Sequence, residues 1–372
     1  MQPLGLPIRS VAWCMVLCLS FIQAACTQDP QSSLESPAVT AISSASTNDA
    51  TLPNPRTDTN DLTDLLVANQ TPPAFSLFIG ETNDDGLQEE ISICEFNKIC
   101  VTTLDTRDKR VYQHSAWHNV ELIAVQDTDG EPGSEIVVLA HTHEGLLACV
   151  CVVHDKTTSI AFYRGLGWSS VDGTTLANTD AIDGDEILVQ VQTEEGTLRC
   201  LCLIRDRDRT VREYADQSWA TIQIKEVIDT DGALGKEVIF ESRDANDQLI
   251  CVCILRDREN ELTTYSDSRW RMGEIHLFAD TDGQPGLEIV VAFRNGTGSG
   301  ITIIHDVSQT SKTYLFEEEH TIQQVRNYDR FSGDEICVLL PSREKFVLIT
   351  DREEVEEAID SCGDIGKSGG RA

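Results

Sequence analysis

A chain of 372 residues with 62 acidic against 29 basic side chains carries a formal charge of −33, which repels nucleic acid and anionic membrane surfaces and argues against both as partners. At 40% apolar and 6% aromatic residues the chain can bury a sizeable core. Cations and basic surfaces remain candidate partners, and the bland alternative is that excess acid keeps an exported protein soluble.

In chain order, Arg9 followed by the apolar run 11–22 has the length of a signal-peptide core and is too short to span a bilayer. Residues 1–25 are therefore read as a signal peptide and the protein as exported, to a bacterial cell envelope or as a secreted protein. Ile22-Gln23-Ala24-Ala25-Cys26 resembles a bacterial lipobox, which implies a lipid on Cys26 and membrane attachment through that anchor alone. Gln23 departs from the pattern, and ordinary cleavage around Ala24 and Ala25 is the alternative. Residues 26–73 are a Ser/Thr/Pro-rich linker with too little apolar surface to fold, serving as a tether. Its one apolar patch, 62–68, is a candidate for docking on the folded head.

From there the sequence repeats. The stretch Asp280-Thr281-Asp282-Gly283-Gln284-Pro285-Gly286-Leu287-Glu288-Ile289-Val290-Val291 has close copies starting at Asp127 and Asp229, and looser ones starting at Glu81, Asn178 and Asn327. The closing acids Glu90, Glu135, Glu186, Glu237, Glu288 and Glu335 are 45, 51, 51, 51 and 47 residues apart, a period that marks solenoids, arrays and propellers. Each unit holds four short runs rich in branched residues, as at 120–125, 135–140, 146–153 and 159–163, or 221–228, 237–241, 249–255 and 262–265. Their length and alternation favour strands. The expected fold is all-β, a β-propeller of about six four-stranded blades over 74–360 and a disordered tail over 361–372, with a β-solenoid as the alternative. The last strand, 352–358, is weakened by charge, and ring closure by the 62–68 patch would compensate.

The acidic loop between the first two strands of each unit resembles the FG-GAP and VCBS repeats of integrin-like calcium-binding propellers, over residues 81–351. That resemblance implies structural Ca²⁺ held by side chains at loop positions 1, 3, 5 and 9 and a carbonyl at 7. The ligands would be Asp127, Asp129 and Glu135, then Asp229, Asp231 and Glu237, then Asp280, Asp282 and Glu288, with carbonyls from Gly133, Gly235 and Gly286. Weaker versions are Asn178, Asp180 and Glu186, and Asn327, Asp329 and Glu335. Asn83, Asp84 and Asp85 stand in a shifted frame. Position 5 is Glu131 in one unit but Ala233 and Gln284 in two others, which lowers the expected affinity to that of extracellular modules. The alternative needs no metal: the Asp residues accept backbone N–H groups in Asx-turns and the Glu caps the loop.

Setting Cys26 aside leaves ten cysteines in the exported chain. Cys149 and Cys151, Cys200 and Cys202, and Cys251 and Cys253 share one repeat position, with i, i+2 spacing that places each pair on one face of the third strand. The corresponding positions in the last unit are Lys345 and Val347, so that face is not expected to be deep core. Export favours oxidation, with Cys94 to Cys100 and Cys337 to Cys362 completing the set, though an i, i+2 bond needs a local bulge. Plain packing and soft-metal ligation near His141 and His143 are the alternatives. Recurrent Trp117, Trp168, Trp219 and Trp270 read as packing between blades rather than a sugar-binding ring, and the His-Asp and Arg-Asp pairs closing each third strand read as turns. No catalytic constellation assembles. The expectation is a monomeric, non-catalytic binding, adhesion or structural module for a protein or polysaccharide. The alternatives are a propeller lyase or hydrolase, and a metal-handling protein using the Cys-x-Cys pairs.

Overall fold

The computed structural model describes residues 77–362 apart from Leu166, Thr297, Asp329, Arg330, Glu354 and Asp360. The leader, Cys26, the tether with its apolar patch, the tail beyond 362 and Asp329 lie outside the described residues.

Six four-stranded antiparallel sheets follow one another, at 77–113, 119–163, 170–214, 221–265, 272–316 and 321–359, and in each the strands pair in chain order. In sheet four they are Thr221–Ile228, Glu237–Arg243, Leu249–Arg256 and Glu261–Tyr265. The two middle strands are apolar on both faces, and in sheet two every residue of Leu147–His154 is buried. Such runs need cover on both sides, and successive sheets supply it.

Ile91, Ile99 and Val101 of sheet one pack with Ile136, Val138 and Cys151 of sheet two. Equivalent clusters join sheets two to three, three to four, four to five and five to six. Among the described residues no apolar cluster joins sheet six to sheet one, and the outer cluster of sheet six, around Cys337, Leu348 and Cys362, stays within that sheet and the segment that follows it. The charged last strand does form, as Val355–Ile359 paired with Lys345–Thr350.

Two expectations are corrected. The paired cysteines lie in the inter-sheet core, at 4% exposure or less. Lys345 misled because the sheet-six hairpin is short, so that Lys345 opens its strand beside the turn at Pro341–Arg343. The closing acid of sheet one is Glu89, not Glu90, since Glu89 accepts the Thr82 N–H as Glu135 accepts that of Thr128. Trp117, Trp168, Trp219 and Trp270 are all buried between sheets.

Candidate functional site

The acidic loops stack on one another. Loop position 8 of one sheet donates its N–H to the position 1 carbonyl of the sheet before, as in Ser134 to Glu81 at 2.8 Å, Asp185 to Asp127 at 2.9 Å and Leu287 to Asp229 at 3.1 Å. Glycine at position 7 follows from this stacking. Gly286 has φ +100°, and a Cβ there would lie 2.6 Å from the Thr230 carbonyl oxygen.

Within each loop the acids are engaged by the chain itself. The position 1 Oδ1 of Asp127, Asp229 and Asp280 accepts the N–H of Gly130, Gly232 and Gly283 at 2.6–2.7 Å. At position 3, Asp129, Asp231 and Asp282 accept the N–H two residues on. Glu135, Glu186, Glu237 and Glu288 each accept the N–H of the position 2 Thr at 2.6–2.8 Å, with its hydroxyl oxygen 3.0–3.4 Å away. The amide nitrogens of Asn178 and Asn327 reach across their own loops to the Ile182 and Gly333 carbonyls.

The remaining carboxylate oxygens face a cation that the sequence reading took for part of a turn. Arg205 Nε lies 3.7 Å from Asp180 of its own sheet, and its guanidinium pairs with Asp257 of the next sheet at 2.6 and 3.0 Å. Arg256 stands likewise between Asp231, at 3.4 Å, and Asp306. His154 Nδ1 lies 3.4 Å from Asp129 and 3.7 Å from Glu135, with Nε2 3.1 Å from Asp206. His305 repeats this between Asp282, Glu288 and Asp351, and Arg110 does so from the fourth strand of sheet one between Glu89 and Asp155. The position 2 Thr completes each clasp by donating to the same Asp of the next sheet, at 2.6–3.1 Å.

Five sheet interfaces are clasped in this way. Sheets six and one carry neither half of a further clasp among the described residues, since Leu104 stands where sheet one would carry the Asp, and Tyr328 and Thr350 replace the Thr and the cation of sheet six.

Burial by itself would lower the His154 pKa, but the carboxylates of Asp206 and Glu135 hold it up, to about 9. His305 is raised against the same opposing burial, chiefly by Asp351. Burial pushes Glu237 up to about 7 despite the Thr230 N–H. Asp127, Asp129 and Glu135, and likewise Asp180, Glu186 and Asp257, each bring a carboxylate oxygen within 4.8 Å of one another, as a cation site requires, but in both groups a cationic side chain of the chain itself already stands among them.

Among the described residues four disulfides form, Cys94–Cys100, Cys149–Cys151, Cys200–Cys202 and Cys337–Cys362. Cys251 and Cys253, the remaining expected pair, hold their sulfurs 2.6 Å apart, far inside the contact distance of two unbonded sulfurs. Ser242 lies 3.0 Å from the Cys251 sulfur, where the other two sheets offer only Ala140 and Val191 across the strand pair. The bulges fall just before each pair, at Ala148, Arg199 and Ile250, rather than inside it.

A second polar constellation escaped the sequence reading. A cleft of about 670 Å³ is lined by Asp172 and Gln190 of sheet three, Lys225, Arg243 and Asp247 of sheet four, and Glu274 of sheet five. Bulges aim two of these side chains. Ile123, Lys225, His276 and Gln323 are the extra residues at one register of their first strands, and Asp172 is the extra residue two positions earlier in sheet three. Under the cleft lies Glu241, fully buried, where the other repeats have Ile93, Leu139, Gln190, Ala292 and Leu339. It takes Arg243 Nη2 at 2.8 Å, Lys225 Nζ at 3.4 Å and the N–H of Ile275. The signal was present in the sequence, as a carboxylate at an otherwise mostly apolar repeat position.

No family model matches this chain, and no curated protein does. Among solved structures it is similar to an Agrocybe aegerita lectin described as recognising non-reducing terminal N-acetylglucosamine, at 12% identity over 76% of this chain and 79% of the lectin, with a TM-score of 0.33. It is similar to an oligogalacturonate lyase from Vibrio parahaemolyticus at 9% identity over 79% and 81%, with a TM-score of 0.33. An auxiliary nutrient binding protein from Bacteroides thetaiotaomicron follows at 10% identity over 75% and 78%, with a TM-score of 0.27. Likeness at this level carries no argument about what this chain binds.

Proposed function

We propose that the six sheets are blades of a β-propeller-type, non-catalytic binding module, exported, held at a cell envelope by lipid on Cys26, and presenting the cleft of sheets three to five to a saccharide chain. The observation that carries this reading is Glu241, a fully buried carboxylate at a mostly apolar repeat position. Burying an ion is costly unless partners compensate, and its partners are the two cations of the cleft. Glu241 therefore acts as a positioning residue, fixing Arg243 and Lys225 as donors beside the acceptors Asp172, Asp247 and Glu274.

A mixed ring of charged donors and acceptors suits a polyhydroxylated ligand. An enzyme would also place an odd carboxylate in a repeat, but both Glu241 oxygens face inward and are engaged, which favours binding over proton transfer. The disulfides support export.

The test is calorimetric titration of the full chain with neutral and uronic-acid oligosaccharides. Arg243→Ala should weaken binding about tenfold or more, which corresponds to roughly 1.4 kcal/mol, with its far-ultraviolet spectrum unchanged. Saccharide binding that ignores Arg243→Ala, or no binding by the wild type, overturns this assignment of the cleft, and cleavage of the oligosaccharides during titration makes the protein an enzyme.

A further inference from the structure

The repeats that these acidic loops resemble hold calcium, yet here the centre of the carboxylate group is filled from within. At three interfaces the filler is an arginine, from the third strand in sheets three and four and from the fourth in sheet one. At two it is a histidine at the same third-strand position. Arginine keeps its charge at any pH a protein meets, so Arg205 and Arg256 fix what the position requires, a permanent cation between an Asp of one sheet and an Asp of the next. In sheet four that place is taken. Arg256 lies between Asp231 and Asp306 with 6% of its side chain exposed, and the Glu237 carboxylate is taken up by Thr230. The amide nitrogen of Asn178, directed at a carbonyl across its loop, would repel an ion there as well.

We propose that this chain supplies its own cation to the acidic loops of sheets one to five, so that its inter-sheet clasps form and hold without calcium. The clasps differ from a metal site in one measurable respect. A bound ion contributes stability that depends on its concentration, whereas an internal side chain does not. Removing the side chain should create the metal dependence that the wild type lacks, because Asp231, Glu237 and Asp306 would then face one another uncompensated.

The experiment is equilibrium dialysis of the full chain against ⁴⁵Ca at 1 mM, alongside thermal unfolding in calcium, magnesium or EDTA. The wild type should bind no more than one calcium per chain. That ceiling is set by sheet six, where Thr350 stands at the cation position. Its unfolding midpoint should move by less than about 2 °C between EDTA and calcium. Arg256→Met should unfold at lower temperature in EDTA, gain one calcium, and recover part of its midpoint in calcium but not in magnesium. Two or more calcium ions on the wild type, or a calcium-selective rise in its midpoint of more than about 2 °C, overturns the proposal. Should Arg256→Met fail to fold, Arg256→Lys serves instead. It keeps a cation and should stay as indifferent to calcium as the wild type, and a calcium-dependent midpoint in that variant again overturns the proposal.

Discussion

Replacing Asp257 by Ala should destabilise the chain by about 3 kcal/mol or more, the scale seen when one partner of a buried ion pair is removed and the other is left behind. Asp257 is fully buried and accepts Arg205 at 2.6 and 3.0 Å and the Thr179 hydroxyl at 3.1 Å. Without it the guanidinium keeps only the more distant Asp180, at 3.7 Å, and the backbone carbonyl of residue 257, at 3.0 Å.

The loss should also be local. Stacked repeats are stabilised by nearest-neighbour interfaces, so amide exchange should accelerate in the strands of sheets three and four before those of sheets one and six. Asp105→Ala, in the exposed turn of sheet one, serves as the control and should change stability by no more than about 0.5 kcal/mol. Equal effects from the two substitutions would show that the clasp contributes nothing beyond a surface turn.

The architecture was legible because repetition makes each copy a check on the others. Strand limits read from branched runs returned almost unchanged, as at Thr221–Ile228 and Ser159–Tyr163, since the 51-residue period fixed the frame. The clasps were not legible, although every residue in them recurs. Arg205 and Asp257 sit 52 residues apart, and the pairing runs from one repeat to the next, whereas motif reading compares residues within a repeat. The threonine between the two loop acids has no part in the calcium pattern, yet Thr230 donates its N–H to Glu237 and its hydroxyl to Asp306 of the following sheet.

The cysteine face was misjudged for a related reason. Lys345 was taken as evidence of exposure for a position that is exposed only where its hairpin is short. Glu241 lies outside every motif read from the repeat, at a position where its counterparts are mostly apolar.

Raising the pH should weaken two of the five clasps and spare the arginine ones. His154 is ordinarily near 6.5 when unfolded and is held at about 9 in the folded chain. A base whose pKa rises on folding contributes stability that is fully present below the unfolded value and is lost as pH climbs through the folded one. The window is therefore pH 6.5 to 9. A rise of that size corresponds to at most about 3 kcal/mol, at 1.36 kcal/mol per unit, and the side chain is only 5% exposed, so solvent screening takes little from it.

The groups facing the imidazole are Asp129 and Glu135 of its own sheet and Asp206 and Arg209 of the next. The first three favour the proton and Arg209 opposes it. Asp206 is shifted in the complementary direction: burial would raise it, but the His154 imidazolium holds it down. His305, facing Asp282, Glu288, Asp351 and Lys312, adds a loss of the same sign.

On the acid side, burial takes His320 down to about 4. Its contribution is present above 6.5 and is lost as pH falls toward 4, whereas Glu237, raised to about 7, contributes a loss of the opposite sign as pH climbs from 4.5 to 7 and offsets it. Thermal midpoints measured from pH 6 to 9.5 should fall for the wild type and fall less for His154→Arg, whose cation does not titrate in that range. An unchanged slope in that variant would assign the alkaline loss to general repulsion within a chain of charge −33 rather than to the clasp.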